Sequence, residues 1–83
     1  MTLATETPPP TSLKLSQVVH ANIRAELARV GRTRVELQRH FDEKPAWMQR
    51  RFNGEVAWSI DEIEKIAKWL NVKVETLLTR RTL

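Results

Sequence analysis

Eighty-three residues, 41% of them apolar and none of them cysteine, make one small domain near the lower limit for a self-sufficient core. That length leaves no room for a sizeable substrate cavity, and the missing cysteines exclude a disulfide staple or a thiolate zinc site while suiting a reducing cytoplasm. The formal net charge is +4. It is unevenly placed, with eight bases against four acids between Arg24 and Arg51 and three bases against five acids between Glu55 and Glu75. One basic face and one mildly acidic end suit a polyanion approached in one orientation.

The first stretch, residues 1–14, reads as a flexible tail. It holds Pro8, Pro9 and Pro10 among Thr, Ser and Glu, and cannot bury enough to order itself. The prolines favour an extended form, as in ligands of SH3 or WW domains, but a plain terminal tail is the simpler reading. With only Glu6 and Lys14 charged, it makes a poor basic arm. It lacks the basic-then-apolar order of a secretory signal. Nowhere in the chain is there a run near the roughly 20 apolar residues of a membrane span. The domain proper is expected over residues 15–83.

A first helix is predicted over residues 16–30, capped by Ser16 and stopped by Gly31. Val19, Ile23, Leu27 and Val30 form its apolar stripe, with Arg24 and Arg29 left in water. His20 falls on a mainly polar flank. With only His40 elsewhere, neither a metal site nor a catalytic histidine is expected. A second helix opens at Thr33, where Glu36 completes a capping box, and turns Leu37 and Phe41 to the core.

The break that follows is Asp42-Glu43-Lys44-Pro45. Pro45 suits a first helical position, because its fixed φ fits a helix and its missing N–H has no partner there. Lys44, lying before proline, is pushed out of the helical region into the turn. A third helix then runs over Pro45–Phe52, giving Met48 and Phe52 to the core and closing at Asn53-Gly54. On the opposite face, Pro45 stacks with Gln49 and Ala46 with Arg50.

A fourth helix starts after Ser59, again with a capping box, to Glu62. Asp61, Glu62 and Glu64 suit the positive end of its dipole. Ile60, Ile63, Ile66, Ala67 and Leu70 are its expected apolar stripe, and Asn71 its stop. A fifth short helix over residues 73–79 offers Val74, Leu77 and Leu78. No segment alternates with period two, so the fold class is all-α, a compact five-helix domain. Two glycines allow no phosphate loop, and there is no HExxH motif. No enzyme, cofactor, metal or small-molecule substrate is expected. A helix, a tight turn and a second short helix bearing Lys44, Gln49, Arg50 and Arg51 is the layout of a helix-turn-helix DNA reader.

From about residue 23 to residue 78 the chain resembles the lambda-repressor-like, or Cro/Xre, helix-turn-helix domain. The resemblance rests on Thr33, on Leu37 and Phe41, on Met48, on Asn53-Gly54, and on the closing Ile63, Ile66, Ala67, Leu70, Val72, Leu77 and Leu78. The run RRFNGEVAWSIDEIEKIA is similar to repressors of actinobacteria and their phages. Four positions depart from the family pattern. Arg34 stands where Gln is usual, Gln38 where a small residue is usual, and Asp42 where Gly is usual. Arg51 replaces Trp or Leu, which implies pairing with an acid such as Glu36 or Glu55.

By resemblance, Lys44, Pro45, Ala46, Gln49 and Arg50 face the major groove. Arg50 can fork onto guanine O6 and N7, Gln49 can pair with adenine, and Ala46 can touch a thymine methyl. Thr33, Arg34 and Asn53 would hold phosphates, with Arg32 and Arg39 adding charge that carries no sequence information. Trp58 is expected to fold back over the core. Trp47 packs either on the sugar-phosphate backbone or on the second helix. Trp69 with Leu77, Leu78 and Leu83 makes an interface cluster, since the family often dimerises through its last helix. That would set two recognition helices about 34 Å apart on a two-fold operator. The implied protein is a Cro-like or short immunity repressor from a phage or bacterium, a homodimer on double-stranded operator DNA in the cytoplasm. An interaction module, such as an antitoxin or a phage protein gripping a host protein, is the alternative from another class. A nucleoid binder without sequence preference is a third.

Overall fold

The computed structural model describes residues 14–80 of the chain. The expected tail before Lys14, and Leu83, lie outside the described residues. Within them run five helices and no strand: α1 (Leu15–Val30), α2 (Arg34–Phe41), α3 (Pro45–Phe52), α4 (Ile60–Leu70) and α5 (Val74–Leu78). Helix α1 begins one residue earlier than expected, because Lys14, not Ser16, is the extended residue before it. The Lys14 N–H donates to Gln17 Oε1 at 3.0 Å, the reciprocal bond of a capping box at this earlier start. The other caps fall at the expected residues. Thr33 and Ser59 accept from the N–H groups of Glu36 and Glu62, and Gly31, Asp42 and Asn71 close their helices in the left-handed region.

The core gathers one stripe from each helix. Val19, Ile23 and Leu27 of α1 meet Leu37, Met48, Trp58, Ile63, Ile66, Leu70 and Leu77. Two expected core residues lie outside it. Val30 is exposed because residues 28–36 all are, so the last turn of α1 runs past its neighbours. Ile60 is 76% exposed. A helical side chain lies over the turn that precedes it, and Ile60, as the first residue of α4, has no such turn, so it overhangs the helix end. Burial begins one turn later, at Ile63.

Two polar residues are buried without having been expected there. Asn22 of α1 donates both amide protons, to the Leu77 carbonyl at 2.9 Å and the Thr79 carbonyl at 2.8 Å. These are carbonyls that a five-residue helix cannot satisfy within itself, so Asn22 ties α5 to α1. Glu26, one turn further along, is buried and pairs with Arg29 at 2.7 Å.

The joint between α2 and α3 explains two departures from the family pattern. Asp42 takes φ 56°, a left-handed value that Asp tolerates better than most residues. Gln38 uses its length to close the turn, with Nε2 donating to the Glu43 carbonyl at 3.1 Å.

Candidate nucleic-acid interface

Helix α3 is divided sharply between an anchoring side and an outward side. Met48 is fully buried, and Trp47, Arg51 and Phe52 are half-buried. Pro45, Ala46, Gln49 and Arg50 are exposed, as is Lys44 just before them. The five expected base-contacting residues therefore share one outward surface. Among the described residues, neither Gln49 nor Arg50 has a side-chain hydrogen bond or ion pair, so both keep their donors for an outside group.

Arg51, the next residue, does the opposite. Its guanidinium grips Glu62 in a fork, Nε to Oε1 at 3.1 Å and Nη2 to Oε2 at 2.9 Å. It also lies 3.8 Å above the Trp47 ring. Glu62 accepts the Ser59 N–H at 2.9 Å as well, so one carboxylate caps α4 and holds the end of α3. The expected partners were Glu36 or Glu55. Neither pairs with Arg51: Glu36 serves the Thr33 N–H at 2.7 Å and Glu55 serves Asn53.

Aromatic rings complete the mounting. Trp47 sits 5.2 Å from Phe41, so of its two expected placements the protein side, on α2, is the one occupied. Trp58 is buried as expected and meets Phe41, Trp47 and Phe52 at 6.1–6.2 Å. His20, expected on a polar flank, instead packs edge-on against Phe52 at 5.5 Å. Burial lowers its pKa from the ordinary 6.5, and the Arg24 charge adds to this, against a smaller upward pull from hydrogen bonding to the Phe52 backbone.

All four expected phosphate contacts, Thr33, Arg34, Arg39 and Asn53, are exposed. They are not equally available. Thr33 Oγ1 accepts the Glu36 N–H at 3.2 Å. The Asn53 amide donates to Glu55 at 2.6 Å, and its oxygen accepts the Glu55 N–H at 3.1 Å. A phosphate at Asn53 would therefore meet a carboxylate as well. Arg34 stands 5.9 Å over the Phe52 ring, and among the described residues neither its guanidinium nor that of Arg39 has a hydrogen bond or ion pair.

The expected interface cluster does not assemble. Leu77 has no exposed surface and belongs to the core. The Trp69 ring is stacked by His40 at 5.3 Å and covered by Arg32 at 4.3 Å. His40 has its pKa lowered by burial first and then by Lys65 and Arg32. Leu78 faces a different apolar hollow, shared with Leu15 and Ile60.

The architecture is that of a small all-helical domain with a helix-turn-helix at α2 and α3. Among the described residues no helix is long and apolar enough to cross a membrane, and no cluster of three His, Cys, Asp or Glu is placed to hold a metal. No family model matches the chain, and no curated protein matches it. Among solved structures it is similar to the crystal structure of a hypothetical transcription factor, NHTF, from Neisseria. The TM-score is 0.72 at 25% identity, over 95% of this chain and 88% of that one.

Proposed function

We propose that this protein is a sequence-specific, double-stranded-DNA-binding transcriptional regulator that reads an operator in the major groove with α3. The observation that carries the reading is the contrast within α3. Met48 and Arg51 are locked into the protein while the exposed Gln49 and Arg50, between them, have no side-chain partner among the described residues. A side chain held on a rigid mount with free donors is what direct base readout requires. The likeness to a structure named as a transcription factor supports the same class.

In this reading Arg50 and Gln49 select bases, and Lys44, Pro45 and Ala46 line the groove beside them. Arg34 and Arg39 neutralise phosphates, with Thr33 and Asn53 contributing where their own caps allow. The finer form is a Cro-like or short lambda-type repressor, acting as a homodimer on a two-fold site in the cytoplasm of a bacterial host. The test is selection of bound duplexes from random DNA, followed by Arg50→Ala. The substitution should cost about 1–3 kcal/mol on the selected site and far less on random DNA. Equal losses on both would reduce Arg50 to a phosphate contact, and absence of any enriched sequence would leave a non-specific binder.

A further inference from the structure

A hollow of about 260 Å³ lies between the start of α1 and the loop that leaves α3. His20 of α1, Arg51 and Phe52 of α3, and Val56 and Trp58 of the loop are in its lining. Two of these residues carry a buried nitrogen that makes no hydrogen bond, Trp58 Nε1 and His20 Nδ1. Trp58 is only 8% exposed, so its N–H is a donor taken out of water with no acceptor to meet it. Buried donors are nearly always paired, and an exception points to a partner from elsewhere. We propose that this hollow is a binding site for a small aromatic carboxylate. Its ring lies against Phe52 and Val56, and its carboxylate accepts from Trp58 Nε1 and from His20.

Three observations select that chemistry. The first is the pair of nitrogens, since one acceptor group with two oxygens can serve both, and a charged acceptor makes the stronger bonds. Water reaches neither atom, so the carboxylate engages them through a shift of residues 53–58, which lie outside any helix. The second is charge. The lining holds no Asp or Glu. The acids bonded to lining residues are Glu62, on Arg51, and Glu55, on Asn53. Arg24, one turn along α1 from His20, and Arg34, over the Phe52 ring, are exposed and have no ion pair among the described residues. An anion is therefore favoured over a cation. The third is size. The volume falls just under the roughly 300–1,000 Å³ of sites for drug-sized ligands, which suits one ring with one acid group. Arg51 and Phe52 also hold α3 in place, so an occupant here would be felt by the outward helix. The site goes beyond the reading of a DNA-binding regulator and does not depend on it.

The test uses the full chain without DNA and sodium benzoate as the probe. The chain has three tryptophans, so its amide spectrum carries three indole N–H signals. Titration should move the Trp58 signal downfield, further than those of Trp47 and Trp69, and saturate at a Kd of roughly 1 mM or below. Benzamide, of the same shape without the charge, should bind at least about tenfold more weakly. His20→Phe keeps a ring beside Phe52 and removes the nitrogen, and should weaken benzoate at least about fivefold with the helical spectrum unchanged. Trp58→Phe, if it folds, should weaken it about as much. No saturable shift at Trp58 up to about 20 mM, equal affinity for benzamide, or full affinity in His20→Phe would each overturn the proposal. So would inorganic phosphate binding as tightly as benzoate, which would leave only a surface anion contact. Failure to bind DNA would sink the functional reading and leave this site standing.

Discussion

Arg50 and Arg51 are adjacent arginines with opposite environments, and substituting each by alanine should separate stability from binding. Arg51 is 13% exposed and Glu62 17% exposed, and they are joined by two hydrogen bonds. Breaking a fully buried pair costs about 3–5 kcal/mol, because a charge is left desolvated, and breaking a surface pair costs about 0–1 kcal/mol. The small residual exposure places this pair between the two limits. The guanidinium also stacks on Trp47, worth about 0.5–2 kcal/mol. Together these give about 2–3 kcal/mol for Arg51→Ala. In a domain of this size, each kcal/mol moves Tm by about 4–8 °C, so the expected drop is roughly 10–20 °C.

The assay is urea and thermal unfolding of Arg51→Ala beside Arg50→Ala. Arg50→Ala should stay within about 0.5 kcal/mol of the parent, as expected for an exposed residue without a partner. Arg51→Met separates charge from packing, since it keeps an apolar stem against Trp47 while removing the fork. It should retain part of the stability that alanine loses. A double-mutant cycle with Glu62→Gln should show coupling of about 1 kcal/mol or more. Two arginine variants equal in stability, or a cycle with no coupling, would refute the claim that the Arg51–Glu62 fork mounts α3.

Asn22→Ala should cost about 2–3 kcal/mol, since it leaves the buried Leu77 carbonyl without its donor. Amide exchange should speed up first in α5. Uniform acceleration across all helices would argue against a local tie. The domain should lose stability on acidification. The folded pKa of His20 lies below the ordinary 6.5, so below that pH the unfolded chain takes up the proton more readily. Stability is then fully present above about 6.5 and falls as the pH drops through the folded value. The urea midpoint should be lower at pH 5.5 than at pH 7.5, and His20→Gln should reduce that slope, leaving the part due to His40, whose pKa is lowered in the same sense. A midpoint that rises on acidification would show that the imidazole is stabilised by charging.

Local chemistry made most of the fold legible in the sequence. The two capping boxes, the proline at the start of α3 and the left-handed stops at Gly31 and Asn71 act within one turn of chain, and all lie where expected. The outward surface of α3 was legible for the same reason, because helical period fixes which residues share a face. Period does not fix where a helix ends relative to its neighbours. Val30 and Ile60 sit on the right stripes but at helix ends, where nothing lies across from them to bury them. Contacts between distant segments leave no local sign either. Asn22 meets a carbonyl 55 residues away, and a lone Asn on α1 reads as surface. Arg51 read as needing an acid, but naming Glu62 required knowing that the start of α4 packs against the end of α3, a contact across the intervening loop that has no local sign.

The mount also determines how sharply α3 can read. Eight residues are too few for a helix to hold itself in water, so both its formation and its direction come from tertiary contacts. Only one of its side chains, Met48, is fully buried, and one apolar peg leaves rotation about that peg free. The Arg51–Glu62 fork and the Trp47 and Phe52 rings remove this freedom, since they hold α3 to α4, α2 and Trp58 on different sides. Discrimination between base pairs requires donors held to within about 0.5 Å and 10–20°. Loosening the mount should therefore cost specificity before affinity. In Arg51→Met at a temperature where the domain stays folded, the preference for the selected site over random DNA should shrink. Binding to random DNA, which depends on charge outside the fork, should change little. If that variant kept full discrimination, Met48 and the rings alone would suffice to aim the helix, and the fork would matter for stability only.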